Sequence, residues 1–394
     1  MMVTALRSWC TTRIGVVLIG AALTTLCASQ RLANGLGRDS ALSAAGVWSV
    51  FIVAVCTYAA LFFLGLALIQ RLSSKAASAL LIALIVGLGI AFVIVYPLLG
   101  APTNGSGFGD RDDALTLMGK ALFSGENPFT VRTYLGDQVS PLLGAVIFAA
   151  PATVIAGSAA WMNLVLIIAL GYVAWKFLPP RIGLALSLVV VTNVGFLEDF
   201  LLGGDAFLYP LAFAAVSWAL LTSKVNLSKP LLVGLVVVGG LLGASRANTL
   251  IVVVAILGYV VVSGFRTKHR WAVVSMALIS GCLGALSLQW AGGLNSWPFT
   301  GDVSSSLRQL SAVVTVVILL VLASRWRKPT DVGAVQQWAS TAPWLALSLL
   351  PLVVQPSALF RMWAYLAVGL PIAALAVGRF LNPDHSESAT ATRG

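Results

Sequence analysis

The stretch Ala76–Leu99 reads A-A-S-A-L-L-I-A-L-I-V-G-L-G-I-A-F-V-I-V-Y-P-L-L and contains no charged residue. A transmembrane α-helix needs about 20 consecutive apolar residues, so this stretch predicts a helix that spans a membrane. Similar runs recur along the 394-residue chain, which is 59% hydrophobic and 9% charged. A soluble domain usually has about 25% charged residues. The sequence therefore predicts an all-α, polytopic transmembrane bundle of about 11–13 spans.

Basic residues around the first spans predict how the chain is oriented. Arg7 and Arg13 precede the first apolar run, at 14–30, and Arg71 and Lys75 separate the second run from the third. Cytoplasmic loops are enriched in lysine and arginine, so we expect a cytoplasmic N-terminus. The loop at 101–138, which follows the third span, is therefore expected on the extracytoplasmic side of the plasma membrane.

The net charge of +11 comes from short basic clusters between apolar runs. Such clusters suit cytoplasmic loops and contact with membrane lipid, and they do not indicate binding to nucleic acid. We expect one integral membrane domain at 1–382 and a disordered cytoplasmic tail at 383–394, because the tail is polar.

An acidic stretch follows the third span. Gly109–Pro128 reads G-D-R-D-D-A-L-T-L-M-G-K-A-L-F-S-G-E-N-P, and it holds three of the thirteen acidic residues within four positions, Asp110, Asp112 and Asp113. The spacing of its apolar residues predicts a short amphipathic helix that lies along the membrane surface, with Asp110 as its N-cap. Acidic residues stabilise a first helical turn. Three together at a membrane edge also indicate function, since charge there is costly.

A second polar island contains Glu198, Asp199 and Asp205. If every apolar run between 142 and 197 is a full span, this island lies on the cytoplasmic side of the membrane. If one of those runs is broken or re-entrant, the island joins the first one on the outer face. Arg246 interrupts a long apolar stretch, so we expect it to have an anionic partner: Asp199, Asp205 or a ligand phosphate.

Several kinds of chemistry lack their residues. The chain has no phosphate-binding G-x-x-x-x-G-K-[ST] motif, and its two histidines, His269 and His385, fall in cytoplasmic segments. We therefore expect no cofactor and no metal site. The remaining groups are carboxylates, which act as general bases on hydroxyls, and arginines, which bind phosphate. Arg246 and Arg361 are the phosphate candidates, although Arg361 also suits an interfacial anchor.

Several short motifs together resemble the GT-C glycosyltransferases, which are polytopic enzymes that use polyprenyl-phosphate sugars. In chain order the motifs are Asp110-Arg111-Asp112-Asp113-Ala114-Leu115, Gly125-Glu126-Asn127-Pro128-Phe129, Ser140-Pro141-Leu142, Gly204-Asp205, Arg246 and Arg361-Met362-Trp363-Ala364-Tyr365. In that family an aspartate of the first outer loop is the catalytic base. The resemblance assigns this role to Asp110, Asp112 or Asp113. We prefer them in that order, because Asp110 ends the irregular loop, where an N-cap side chain can face a cavity.

The resemblance implies a membrane glycosyltransferase, such as a mannosyl- or arabinosyltransferase. It would move a sugar from a polyprenyl-phosphate carrier to a glycan or glycolipid acceptor of the cell envelope. We expect substrate contacts from the polar residues near the loop ends: Arg111, Asn127, Glu198, Asp199, Asp205, Arg246 and Arg361. A transporter or flippase for a lipid-linked or polar substrate is the alternative, with the same charges lining a pathway. A third possibility is a structural subunit, in which the aspartates would have no catalytic role.

The predicted topology can be tested with a cysteine at Ser106. In intact cells Ser106→Cys should react with an impermeant thiol reagent, because the loop at 101–138 is expected outside. Ser386→Cys, in the tail, is the matched control and should react only after lysis. Protection of Ser106→Cys until lysis would contradict the orientation.

Overall fold

The structure is a computed structural model that describes residues 64–65, 68–100, 111–134, 136, 139–192, 194–221, 227–262 and 270–292. Within these residues the chain forms helices and turns, with no β-strand, which confirms the all-α prediction for this part. The α-helices are α1 Ser74–Val95, α2 Arg111–Phe123, α3 Leu143–Ala156, α4 Trp161–Phe177, α5 Pro180–Val191, α6 Val194–Leu201, α7 Leu208–Leu221, α8 Lys229–Gly243, α9 Ala247–Val262 and α10 Arg270–Trp290.

Two of these elements are long and apolar enough to cross a membrane. They are Ser74–Leu99, in which a π-helical turn at Tyr96–Gly100 extends α1, and α10. The predicted span at 76–99 is therefore present as a helix. α3 and α4 pass the same test together but are bent by 113° at a short break, as in a broken span or a re-entrant loop. The described residues thus contain two candidate spans, or three if the bent pair is one.

The chain divides into two compact units. The first includes the described parts of Met1–Ile90 and Ile167–Glu198. In it Arg181 donates from Nε to the carbonyl oxygen of Leu72 at 2.7 Å. A Cβ on Gly171 would lie 2.7 Å from Cγ1 of Ile85, so α4 and α1 approach closely at a residue without a side chain.

The second unit includes the described parts of Ala91–Leu166 and Asp199–Pro356, and α8 packs against α10 at its centre. The contact face of α8 carries Gly239 and Gly240, where a Cβ would lie 2.8 Å from Sδ of Met276 and 2.5 Å from Cγ2 of Ile279. Ser280 of α10 donates to the carbonyl oxygen of Gly240 at 2.9 Å. Small residues and serine hydroxyls of this kind let apolar helices pack at short range.

The N-terminus of α3 is held by the turn that follows α8 and by α10. The backbone N–H of Leu142 donates to the carbonyl oxygen of Ser245 at 2.9 Å. The N–H of Leu143 donates to Oγ of Ser287, in α10, at 3.0 Å. The first N–H groups of a helix have no partner within that helix, so these two bonds satisfy groups that burial would otherwise penalise.

The predicted helix after residue 110 forms as α2. α2 packs against α3, and its apolar face is buried or half-buried by protein. Asp112 and Asp113 are buried as well. The apolar face of α2 therefore packs on protein, and the position of this helix along a membrane surface stays a prediction. Asp110, the run at 14–30, the segments after 292 and the tail at 383–394 lie outside the described residues.

A matched pair of glycine variants tests the packing of α3. Gly144→Ala should lower the melting temperature in detergent, because the new Cβ would lie 2.6 Å from the carbonyl oxygen of Ala244 and closer still to that of Leu241. Such overpacking typically costs about 1–3 kcal/mol. Gly234→Ala, on an open part of α8, is the control. It should leave the melting temperature unchanged or raise it, since alanine favours a helix by about 0.5–1 kcal/mol. Equal melting temperatures for both variants would contradict the close contact.

Candidate carboxylate site

The first turn of α2 places two carboxylates inside the second unit. Asp112 is 2% exposed and Asp113 is 8% exposed. Oδ2 of Asp112 accepts a hydrogen bond from the hydroxyl of Tyr96 at 2.8 Å. Oδ2 of Asp113 accepts the backbone N–H of Tyr134 at 2.9 Å, which fixes the segment after α2. The first turn suits both charges, because its unpaired N–H groups and the helix dipole favour anions.

The break between α3 and α4, at 157–160, contacts Tyr96 and α2. Oγ of Ser158 lies 2.7 Å from the hydroxyl oxygen of Tyr96 and accepts the N–H of Ala160 at 3.1 Å. The N–H of Ala159 donates to Oγ1 of Thr116, in α2, at 2.9 Å. The backbone groups exposed by the break are therefore satisfied by the polar side chains around the carboxylates.

Aromatic rings surround Tyr96 on its other side. The Phe92 ring stacks on that of Tyr96 with centroids 5.2 Å apart, and the Trp161 ring meets it edge-on at 6.0 Å. Burial in these surroundings raises the pKa of Asp112 to about 6, and the hydrogen bonds from Tyr96 and the backbone only partly offset it. A carboxylate with such a pKa is ionised at neutral pH and still has appreciable basicity.

The second acidic island forms a tight turn between α6 and α7. Oδ2 of Asp199 accepts the N–H of Phe207 at 3.1 Å, just before α7 begins. A Cβ on Gly204 would overlap Oδ1 of Asp199, so the turn closes onto the carboxylate only because this residue is glycine. Asn163 of α4 donates to the carbonyl oxygen of Gly204 at 2.7 Å. Asp199 therefore shapes the turn.

Asp112 and the turn that carries Asp205 meet at Tyr96. Gly203 has a φ of +81°, and a Cβ there would lie 2.7 Å from Cε2 of Tyr96 and 2.7 Å from Cβ of Ala160. The ring of Tyr96 thus lies against the turn that holds Asp205, while its hydroxyl contacts Asp112. The placement of the second island on the outer face stays a prediction.

Arg246 pairs with Asp205. Its Nε donates to Oδ2 of Asp205 at 3.0 Å, and its Nη2 makes an ion pair with Oδ1. Nη1 donates to Oγ of Ser140 at 3.3 Å. Asp205 is 1% exposed and Arg246 is 16% exposed, so the pair is largely removed from solvent. Of the anionic partners expected for Arg246, the structure thus shows Asp205.

The other predicted site residues lie elsewhere. Asn127 is exposed, donates to the carbonyl oxygen of Trp290 at 2.8 Å and accepts the N–H of Phe129, so it shapes the loop after α2. Glu198 is half-buried and belongs to the first unit. Arg111 is the first residue of α2. Asp110 and Arg361 lie outside the described residues.

Three polar residues that the structure brings to the site were not indicated by the sequence: Tyr96, Thr116 and Ser158. Ser140 was indicated only as part of a motif, without its contact to Arg246. Tyr96 contacts Ser158 across 62 positions of sequence, a distance over which no local pattern applies. One signal was available. Tyr96-Pro97 ends the third apolar run, and Gly157-Ser158 interrupts the next. Polar residues at such ends are placed to meet one another. Among the described residues no group of three or more His, Cys, Asp or Glu is arranged to hold a metal.

The fold and the site together define a helical chain with candidate membrane spans and a pair of buried carboxylates beside a buried ion pair. Comparison of the chain with protein-family models, with curated proteins and with solved structures finds no match.

The raised pKa of Asp112 makes the stability of the protein depend on pH. The pKa is about 6 in the folded protein against an ordinary 3.8, so folding favours the protonated carboxyl. The stability from this group is fully present below pH 3.8 and is lost as the pH rises through 6. Relative to Asp112→Asn, the wild type should lose on the order of 2–3 kcal/mol between about pH 4 and pH 7. Melting temperatures in detergent across this range measure it.

Glu126→Gln, which changes an exposed carboxylate on the same loop, is the control for this titration. Its melting temperatures should follow those of the wild type at every pH. A wild type and an Asp112→Asn variant that stay parallel from pH 4 to pH 7 would show that Asp112 is not titrating in a buried setting.

Proposed function

We propose that this protein is a GT-C-type membrane glycosyltransferase with Asp112 as its general base. It would transfer a sugar from a polyprenyl-phosphate carrier to a cell-envelope acceptor on the extracytoplasmic side of the plasma membrane. The proposal includes the full bundle of about 11–13 spans. The observation that supports it best is the buried carboxylate of Asp112, held by Tyr96 in the acidic turn that carries the resemblance.

The chemistry requires a base at this position. The acceptor hydroxyl loses its proton as its oxygen attacks the anomeric carbon, and the carrier phosphate departs with the electrons of the broken bond. A general base works best when its pKa lies near the operating pH. The pKa of Asp112 is raised to about 6 by burial, which suits this role. Asp113 has a structural role beside it, because Oδ2 of its carboxylate holds the backbone of Tyr134 and so fixes the segment after α2.

Recognition of the carrier phosphate needs a cation that is not already balanced. The charge of Arg246 is matched by Asp205 through two contacts, so this pair is close to neutral as a unit. Removing one member would leave a buried charge without compensation, which typically costs about 3–5 kcal/mol. We therefore assign Arg246 to holding the turn at Asp205 and, from their places in the sequence alone, propose Arg361 and Arg111 for the phosphate. A guanidinium has paired donors of the kind that bind phosphate well.

A transporter or flippase is the second candidate, and the break between α3 and α4 favours it. Transporters often bind their substrates where broken helices meet within the membrane. In that case Asp112 would bind a cationic or hydroxylated substrate or a proton, and no glycosidic bond would form. The two candidates differ in whether purified protein produces a new glycoside.

The deciding assay is sugar transfer by purified protein from a synthetic polyprenyl-phosphate sugar to a lipid-linked or glycan acceptor. Asp112→Asn keeps the size of the side chain and removes its basicity. Its kcat should fall at least ~100-fold, because general-base catalysis contributes about 10²–10⁴-fold. Asp110→Asn and Asp113→Asn test the other two acidic positions of the turn.

Glu126→Gln is the matched control and should retain the wild-type rate, since Glu126 is exposed on the loop after α2. If all three aspartate variants transfer sugar at near wild-type rates, the turn is not catalytic. If the wild type transfers no sugar to an acceptor but moves a lipid-linked sugar across vesicle membranes, the transporter or flippase replaces the glycosyltransferase as the proposed function.

A further inference from the structure

We propose that Tyr96 is a positioning residue for Asp112 and that Ser158 orders the hydroxyl of Tyr96 for this task. The inference rests on the proposed role of Asp112 as a base. It starts from the hydrogen bonds that connect the three side chains, at 2.8 Å from Tyr96 to Asp112 and at 2.7 Å between Ser158 and Tyr96.

The direction of this chain of hydrogen bonds follows from counting protons. A tyrosine hydroxyl has one proton, and with Asp112 ionised it is donated to Oδ2. The bond between Ser158 and Tyr96 must then use the proton of Ser158. Ser158 can donate it, and its Oγ can at the same time accept the backbone N–H of Ala160, at 3.1 Å. The result is an ordered series of donors that ends on the carboxylate.

The packing of Tyr96 leaves its hydroxyl little freedom. Phe92 stacks on one side of the ring with planes 1° apart. Gly203 lies against the ring edge, so close that a Cβ would meet Cε2 at 2.7 Å. The side chain is 4% exposed. A donor fixed in this way loses little conformational freedom when it binds the carboxylate, which is how a supporting residue keeps a base in position.

Few charged groups compete with Tyr96 at this carboxylate. Asp113, beside it on α2, repels its negative charge. α3, which packs against α2, contains no titratable residue, and the break at 157–160 adds none. Arg132, on the segment bound by Asp113, is exposed. Tyr96 is thus a neutral side-chain donor that, together with the backbone N–H groups of Asp112 and Asp113, favours the ionised form of Asp112 and partly offsets burial and the charge of Asp113.

The test removes the hydroxyl and follows the pH profile. In Tyr96→Phe the acid limb of the sugar-transfer rate should move up by about one pH unit, since a hydrogen bond to a charged group contributes about that much. Ser158→Ala should move it in the same direction by less, because Tyr96 keeps its proton but loses its orienting donor. Tyr172→Phe is the matched control: this tyrosine is exposed and accepts a hydrogen bond from Lys176. Its profile should coincide with that of the wild type.

A second measurement does not depend on activity. The protonated carboxyl band of Asp112, identified by its loss in Asp112→Asn, can be titrated by infrared spectroscopy. Its midpoint should rise in Tyr96→Phe and, by less, in Ser158→Ala. Midpoints that stay at the wild-type value in both variants would overturn the inference, and if Tyr96→Phe does not fold, the Ser158→Ala titration decides. If the midpoint moves but no variant or wild type transfers sugar, the proposed function fails while the positioning role of Tyr96 stands.

Discussion

The ion pair between Arg246 and Asp205 holds together parts of the chain that are far apart in sequence. Arg246 lies between α8 and α9, Asp205 precedes α7, and Ser140, which also contacts Arg246, precedes α3. A buried pair of this kind contributes little net stability compared with apolar residues of the same size. The pair instead fixes positions, because separating its members would leave each charge without its counter-charge. The segments that precede α3, α7 and α9 are therefore held in one arrangement.

Tyr96 connects this arrangement to the carboxylates of α2. Its ring rests on the glycine turn that carries Asp205, and its hydroxyl bonds Asp112. Glycine at 203 and 204 permits both approaches, since a side chain at either position would overlap Tyr96 or Asp199. The turn that carries Asp205 and the carboxylate of Asp112 therefore belong to one structural feature, in which both contact Tyr96.

Local patterns in the sequence were sufficient for the helices. The apolar run at 76–99, the interruption at Arg246 and the short helix after residue 110 all appear. These features depend on the length of apolar runs and on helix-breaking residues, which neighbouring positions determine. The surroundings of α2 were not predictable, because α3 covers it and no local pattern records that contact.

The site likewise contains features that the local sequence indicated and features that it did not. The sequence indicated the acidic residues and Arg246, because charge within apolar sequence is rare. It left three possible partners for Arg246 and did not point to Tyr96 or Ser158 at all. Partner choice depends on distances across the fold, as between Arg246 and Asp205, which are 41 positions apart. The roles of Asp110 and Arg361 stay predictions, since both lie outside the described residues.

The hydrogen bond from Leu143 to Ser287 also has a consequence for the order of events during synthesis. The two residues are 144 positions apart, and the donor is made first. Ribosomes add about 5–20 residues per second, so the N-terminus of α3 waits roughly 7–30 s before its partner on α10 exists. During that interval its amides need water or a temporary partner. The N-terminus of α3 thus lacks this hydrogen bond until α10 has been made.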